Sequence, residues 1–458
     1  MMKQAIIAAL VLFAIPAMAV PKPIATVEVV RDGNRWSADY RLSDRAPVWV
    51  FAKSNLPSKS QRSWRLDTVR VLTPGVTLQR LGNYDALVAA DGRALPPRVR
   101  LTFAPLKIDI EGGYDPAIIF TDGSVALFAD GFKLVPMASV AAVRVDDKDK
   151  STLIAIDRPT HIVFIDRAGP VLAHGKRVAR AALDNGQAYV LFGKARPTIG
   201  PSMTTIFDPA LPAWLSAYLN REMPAILTEY RARLGPSPVG QPTLLVSWGG
   251  PTKGVASLSG SVLPGMVTMA LEGEGLATPN AKAAPYARWF VAHEAAHFWL
   301  GQALAYDSPA NSWITEGGAE LLAFRATAAG DKGYDIKARL AEARTECLPF
   351  LAHGGIAGAF RREGDFRAYY ACGAIIALAA ERASGGNFGD FVKTLIARNP
   401  DRIVTRAEWL ALLDERAPGR SLSAAVSNLL DHAQPDPATA LDAFIAKAQI
   451  GDQFVAKP

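Results

Sequence analysis

The chain has 458 residues, half of them apolar, two cysteines, and 50 Lys and Arg against 43 Asp and Glu for a formal charge of +7. A chain this long with this much apolar content can bury real cores and is expected to divide, since single cores rarely grow beyond about 250–300 residues. The basic residues are scattered, without a stripe or aromatic interleaving, so the positive charge does not read as a nucleic-acid surface.

The opening MMKQAIIAALVLFAIPAMA places a lysine before an apolar run and ends in Ala17-Met18-Ala19, the composition of a secretory signal cleaved before Val20. The run falls short of the roughly 20 residues that span a bilayer. No later segment reaches that length, so no membrane span is expected after cleavage of residues 1–19. The expectation is a secreted protein, periplasmic in the simplest case.

From residue 20 to about 195, ATVEVVRD, RWSADYRL, PVWVFA, RLDTVRVL, VRLTFAP, AIIFTDG and HIVFIDR alternate apolar with polar residues between Gly, Pro and Asp punctuation. This predicts an all-β domain. DDKDK at 146–150 reads as a solvated turn, and His161 and His174 read as structural or surface residues. GKARPTIGPS at 193–202, with two prolines and three glycine or serine positions, marks the candidate boundary.

A long helix is expected next, in PALPAWLSAYLNREMPAILTEYRARLG, stopping at Gly235, and then a buried strand in QPTLLVSW. SLSGSVLPGMVTMALEG (257–273) reads as one extended edge interrupted by Pro264, where a proline is tolerated because no ladder bond is lost on the solvent side. Past residue 330, six stretches have helical spacing and end near Gly, Pro or Asn: DIKARLAEARTECLPFLA, YYACGAIIALAAERASGG, NFGDFVKTLIARN, RAEWLALLDERAPG, SLSAAVSNLLDHA and ATALDAFIAKA. Cys347 and Cys372 lie 25 residues apart. In an oxidising compartment they form the one possible intramolecular disulfide; two buried thiols are the other reading.

The chemistry concentrates in VAHEAAHFWLGQALAYDSPANSWITEGGAELLA, residues 291–323. His293 and His297 are four apart, so on a helix they share one face a turn apart and can bind one divalent metal. Glu294 stands beside the first histidine, where its carboxylate can reach water without ligating. Gly301, Pro309 and Asn311 break the helix before TEGGAELLAF resumes it, and Glu316 on that second helix is the candidate third ligand.

These residues resemble the gluzincin metallopeptidases of the aminopeptidase N and leukotriene hydrolase family. That pattern reads His-Glu-x-x-His-x-Trp-x-Gly-Asn, then, eighteen residues after the second His, the glutamate of Trp-Leu-x-Glu-Gly. Trp299, Gly301, Trp313, Glu316 and Gly317 match it, eighteen residues run from Phe298 to Thr315, and Gln302 stands where the family has Asn. The resemblance implies a multidomain chain: an all-β domain (20–195), a thermolysin-like α+β catalytic domain (196–330) and a C-terminal α-helical domain (331–458). It also implies one zinc ion per chain on His293, His297 and Glu316, Glu294 as general base, and a peptide substrate that could pair with the extended edge by strand addition.

The family's catalytic tyrosine lies in Tyr-x-Lys-Gly-Ala; Tyr370-Ala371-Cys372-Gly373-Ala374 is similar, which implies Tyr370 as oxyanion donor, with Cys372 in place of the lysine. Glu320, one turn after Glu316, is implied as a carboxylate orienting a ligand histidine, a surface glutamate being the other reading. The chain departs from the family at Gly-x-Met-Glu-Asn, whose glutamate anchors the substrate's free amine. The nearest text is Gly265-Met266-Val267-Thr268, with Glu272 or Glu274 as nearby substitutes. The function expected is zinc-dependent peptide hydrolysis; the alternative is a non-hydrolytic peptide- or envelope-binding protein that retains the peptidase fold. Oligomeric state is not legible.

Overall fold

The computed structural model describes residues 22–454 except 58–59, 61, 109, 111–112, 145–157, 185, 239 and 363–364. The signal-like segment and the DDKDK run lie outside the described residues.

Residues 25–192 build three β-sheets. A six-stranded sheet centres on the hairpin of Ala25–Asp32 and Arg35–Leu42, extended by Arg98–Phe103 on one side and, in parallel, by Thr160–Asp166 on the other. In the second hairpin strand, Trp36, Ala38, Tyr40 and Leu42 are buried while the residues between them face outwards, so the period-two pattern sets the register. RLDTVRVL departs from the expected strand. Trp64–Thr68 is a helical turn and only Val69–Val71 is extended, because Arg65 turns inwards to pair with buried Asp85 at 3.1 Å. A buried charge in the polar phase of an alternating pattern is what the sequence reading could not anticipate. His161 pairs with Asp184, and His174 takes a left-handed turn conformation.

The next sheet has five strands in the order Thr198–Ile199, Thr204–Phe207, Thr243–Trp248, Met266–Glu272 and Ser257–Leu263. Its inner pairs are parallel and the last pair is antiparallel. The expected single edge over 257–273 is therefore a hairpin. Pro264-Gly265 makes the turn, with Gly265 at φ 72°, and only Ser257–Leu263 is the edge. The β-rich part packs on this sheet through Ile118, Phe128 and Leu191 against Ile206, Leu245 and Met266. Buried Asp208 fastens the two, accepting bonds from the backbone N–H of Thr121 (2.9 Å) and Trp248 (3.2 Å) and from the Thr121 hydroxyl.

The helices that follow include Ala213–Leu234, Ala283–Ala296, Trp313–Gly330, Ile336–His353 and Ala368–Ala383. One apolar core runs from Met203 to Ile450, continuous across residue 330. Within it, Arg288 on the helix carrying the histidines pairs with Glu222 and donates through Nε to the Ala326 carbonyl (3.1 Å), linking three helices. The helices Trp313–Gly330 and Ala368–Ala383 cross with their backbones in contact: a Cβ on Gly317 would lie 2.2 Å from the Gly373 carbonyl carbon. A Cys347–Cys372 disulfide ties the second of these to Ile336–His353. Closing that loop lowers the entropy of the unfolded chain, a contribution of about 3 kcal/mol. The architecture is thus multidomain, β-rich at the N-terminus and helical at the C-terminus. Among the described residues no helix is long and apolar enough to cross a membrane.

Candidate metal centre

The helix Ala283–Ala296 is buried from Ala287 on except for half-buried Trp289, and His297 continues it as the first residue of its C-terminal turn (φ −66°, ψ −12°). The two imidazoles therefore sit one turn apart and edge to face, ring centroids 4.9 Å apart, with Nε2 atoms 3.2 Å from each other. The other nitrogens are spoken for. His293 Nδ1 lies 3.1 Å from Glu320 Oε2, and His297 Nδ1 lies 2.8 Å from the Leu300 carbonyl. Donation from Nδ1 to those acceptors leaves both Nε2 lone pairs facing one point.

Ser308, Pro309 and Asn311 break the chain after the first helix, and Glu316 sits in the first turn of the next. Its Oε2 lies 3.3 Å from His293 Nε2 and 3.4 Å from His297 Nε2, buried and without a hydrogen bond. Three donors about a tetrahedral ion with bonds of about 2.0–2.1 Å stand roughly 3.3–3.4 Å apart. The observed triangle of 3.2, 3.3 and 3.4 Å has that size. Two imidazole nitrogens and one carboxylate oxygen suit zinc, and the orphaned Glu316 oxygen is the atom such an ion would satisfy. Among the described residues this is the one group of three His, Cys, Asp or Glu side chains able to hold a metal.

Without an ion, protons hold the cluster together. Burial opposes the charge on His293, but the Glu316 and Glu320 carboxylates more than offset it and keep its pKa up at about 10. Burial likewise opposes a charged His297, and Glu316 again raises it. Burial would lift the pKa of Glu316; His297 and His293 instead hold it well below the usual range. Glu294 is different: burial pushes its pKa up, only partly countered by His293 and His297. A carboxylate whose pKa is raised by burial beside a candidate metal site is suited to taking and returning a proton.

Tyr370 lies over this cluster, its ring 5.3 Å from and nearly parallel to that of His293. Burial, with Glu316 and Glu294 nearby, raises its pKa far above 10, so the phenol stays protonated as a donor. Glu320 is no surface group. It is 1% exposed, and its Oε2 also accepts from Trp289 Nε1 at 3.1 Å.

His293, Glu294, His297, Glu316 and Tyr370 line a cavity of about 970 Å³. Its opposite wall is the edge strand, where a Cβ on Gly260 would lie 2.7 Å from Phe290 Cζ and 3.1 Å from the Glu294 carboxyl carbon. Only a glycine lets the strand come this close to Glu294. An isolated glycine inside a strand is the signal that could have found it. The sequence reading also missed Tyr306, Asp115 and Arg402, cavity-lining residues from three distant segments. Val267 is fully buried in the inner strand between Leu244 and Val262, so it does not face the cavity. Glu272 and Glu274 are engaged elsewhere. The first accepts from Thr252 (2.5 Å) with Lys107 at 3.9 Å, the second from the Gly254 N–H (2.8 Å), and neither lines the cavity.

No family profile and no curated protein sequence matches the chain. Solved structures do. The chain is similar to an aminopeptidase N family protein from Idiomarina loihiensis, at 12% identity over 92% of this chain and 78% of that one, with a TM-score of 0.65. It is also similar to leukotriene A4 hydrolase from Saccharomyces cerevisiae, at 13% identity over 93% and 70%, with a TM-score of 0.55. An M1 zinc metallopeptidase from Deinococcus radiodurans matches at 16% identity over 90% and 94%, TM-score 0.50. At these identities the likeness is one of fold, a multidomain chain that is β-rich at its N-terminus and helical at its C-terminus, and the similar structures are the aminopeptidase N and leukotriene hydrolase proteins that the resemblance named.

Proposed function

We propose that the chain is a zinc-dependent metallopeptidase hydrolysing peptide bonds, with His293, His297 and Glu316 holding the ion. The observation that carries this is the triangle of three donors at tetrahedral spacing with Glu294 beside it. When bound, zinc would supply Lewis-acid chemistry there, bringing the pKa of water to about 7 and polarising a carbonyl. Glu294 accepts the proton of the attacking water and returns it to the leaving amine. Tyr370 donates its phenolic hydrogen to the carbonyl oxygen as charge develops on it. Glu320 holds the His293 ring in orientation. The unpaired side of Ser257–Leu263 takes the peptide backbone as an added strand, and bare Gly260 leaves room for it over Glu294.

One similar structure supports the substrate class: a variant of the Deinococcus radiodurans enzyme is bound to a Tyr-Ser-Ala substrate. On this reading residues 20–195 form a β domain, while 196–330, the thermolysin-like catalytic part, and 331–458, the helical part, share one core, in a protein exported to the periplasm.

The test is metal analysis and peptide hydrolysis on purified protein. Stoichiometric zinc is expected, lost in His293→Ala, His297→Ala and Glu316→Ala. Glu294→Gln is expected to retain zinc and lose turnover by about a thousandfold or more, since its amide takes no proton. A wild type that binds no zinc after reconstitution, or a Glu294→Gln variant with near-normal turnover, sinks the reading.

A further inference from the structure

Part of the cavity wall comes from Ala305 and Tyr306, which pair in parallel with Ile403–Val404. Arg402 leads into the second of these strands and lines the cavity. Its backbone is at φ 66°, a left-handed conformation that is strained for a non-glycine residue. The surrounding structure imposes it. The Arg402 N–H donates to the Asn399 carbonyl (2.9 Å), its carbonyl accepts from the Ala305 N–H (2.7 Å), and buried Asn399 is itself pinned to Leu395 (2.8 Å). Strained residues held this way concentrate at ligand sites. The Arg402 guanidinium is exposed and has no carboxylate partner among the described residues, and no other lysine or arginine lines the cavity.

The other end of a peptide finds less. Of the lining carboxylates, Glu316 and Glu294 are assigned to the metal and the proton, which leaves Asp115, whose Oδ1 accepts from the Ile110 N–H at 3.3 Å. A cavity of about 970 Å³ is at the upper end of small-ligand sites, enough for a short peptide. We propose that Arg402 binds a carboxylate of the substrate, so that the site selects short anionic peptides by their acidic end. The proposal rests on the peptidase reading. A guanidinium suits this task because it presents paired donors matched to both carboxylate oxygens. The C-terminal carboxylate of a short peptide and an acidic side chain offer the same chemistry, and on a C-terminal anchor the peptide is held from its leaving-group side.

The experiment measures binding to zinc-loaded Glu294→Gln protein, with Arg402 intact, Arg402→Ala or Arg402→Lys. The probes are Ala-Phe-Ala as free acid, as C-terminal amide, and Ala-Phe-Glu as C-terminal amide, each with a free or an acetylated N-terminus. The free acid is expected to bind at least about tenfold tighter than its amide. That ratio should fall to near one in Arg402→Ala and survive in part in Arg402→Lys. Recovery by the Glu-bearing amide identifies a side-chain carboxylate as an accepted source; no recovery restricts the site to the C-terminus. An acid-to-amide ratio of one with Arg402 intact, or an unchanged ratio in Arg402→Ala, overturns the proposal and leaves the peptidase reading standing. A preference for the free N-terminus that disappears in Asp115→Asn, with no acid preference, also overturns it. Failure of every probe to bind zinc-loaded protein defeats both.

Discussion

Gly317→Ala tests whether the helix crossing sets the position of Tyr370. The added Cβ would meet the Gly373 carbonyl carbon at 2.2 Å, its Cα at 2.4 Å and its oxygen at 2.6 Å. Carbon atoms rest at about 3.5–4.0 Å, so the two backbones must part by more than about 1 Å. None of the three contacts is with a flexible side chain that could swing aside. Overpacking of this kind destabilises by about 1–3 kcal/mol. Tyr370 stands one turn before Gly373, and Glu316 adjoins Gly317, so the displacement falls directly on the stacking of Tyr370 over His293. A misplacement of about 1 Å at a reacting group lowers turnover about a hundredfold. The assay is urea unfolding of wild type and variant, beside kcat of the zinc-loaded proteins on a peptide that both cleave. A variant that unfolds at the wild-type midpoint and turns over within about twofold of wild type would refute the reasoning.

Glu320→Gln keeps the volume but exchanges the carboxylate that receives His293 Nδ1 and Trp289 Nε1, so zinc affinity should fall by about 10–100-fold, measured by chelator competition; unchanged affinity would show that Glu320 does not orient the ligand. In metal-stripped protein, the raised pKa of His293 gives stability that is full below about 6.5 and lost as pH climbs through about 10, while the depressed Glu316 gives stability present above about 4.5 and lost in acid. The stripped protein should therefore have a higher urea midpoint at pH 6 than at pH 9. Zinc, which competes with the protons, should flatten or reverse that difference; a stripped protein equally stable at both values contradicts the assignment.

The three residues of the candidate metal centre were legible because their spacing is local: four residues on one helix bring His293 and His297 together, and a helix break fixes the start of the segment carrying Glu316. Glu320 and Tyr370 came from the family pattern, and the structure places both in contact with His293. The long helices were legible from period and punctuation. The failures have a common cause. Arg65 is buried by a partner twenty positions away, the 257–273 segment folds on itself at Pro264-Gly265, and Gly260 matters only through what lies across from it. Arg402 carries no motif at all. Each depends on a neighbour supplied by another part of the chain, and a one-dimensional pattern contains no such information.

The short pairing of Ala305–Tyr306 with Ile403–Val404 has a bearing on how activity arises during folding. Parallel strands distant in sequence pair late, since the loop-closure entropy must be met before the contact returns anything. The histidine helix can form early, but the wall that includes Arg402 waits for segments far downstream, and Tyr370 waits for its own helix to dock. A ribosome-bound or half-folded chain would then carry the ligand residues without a closed reaction chamber. On the peptidase reading, the order of assembly would itself delay hydrolysis until these segments have docked.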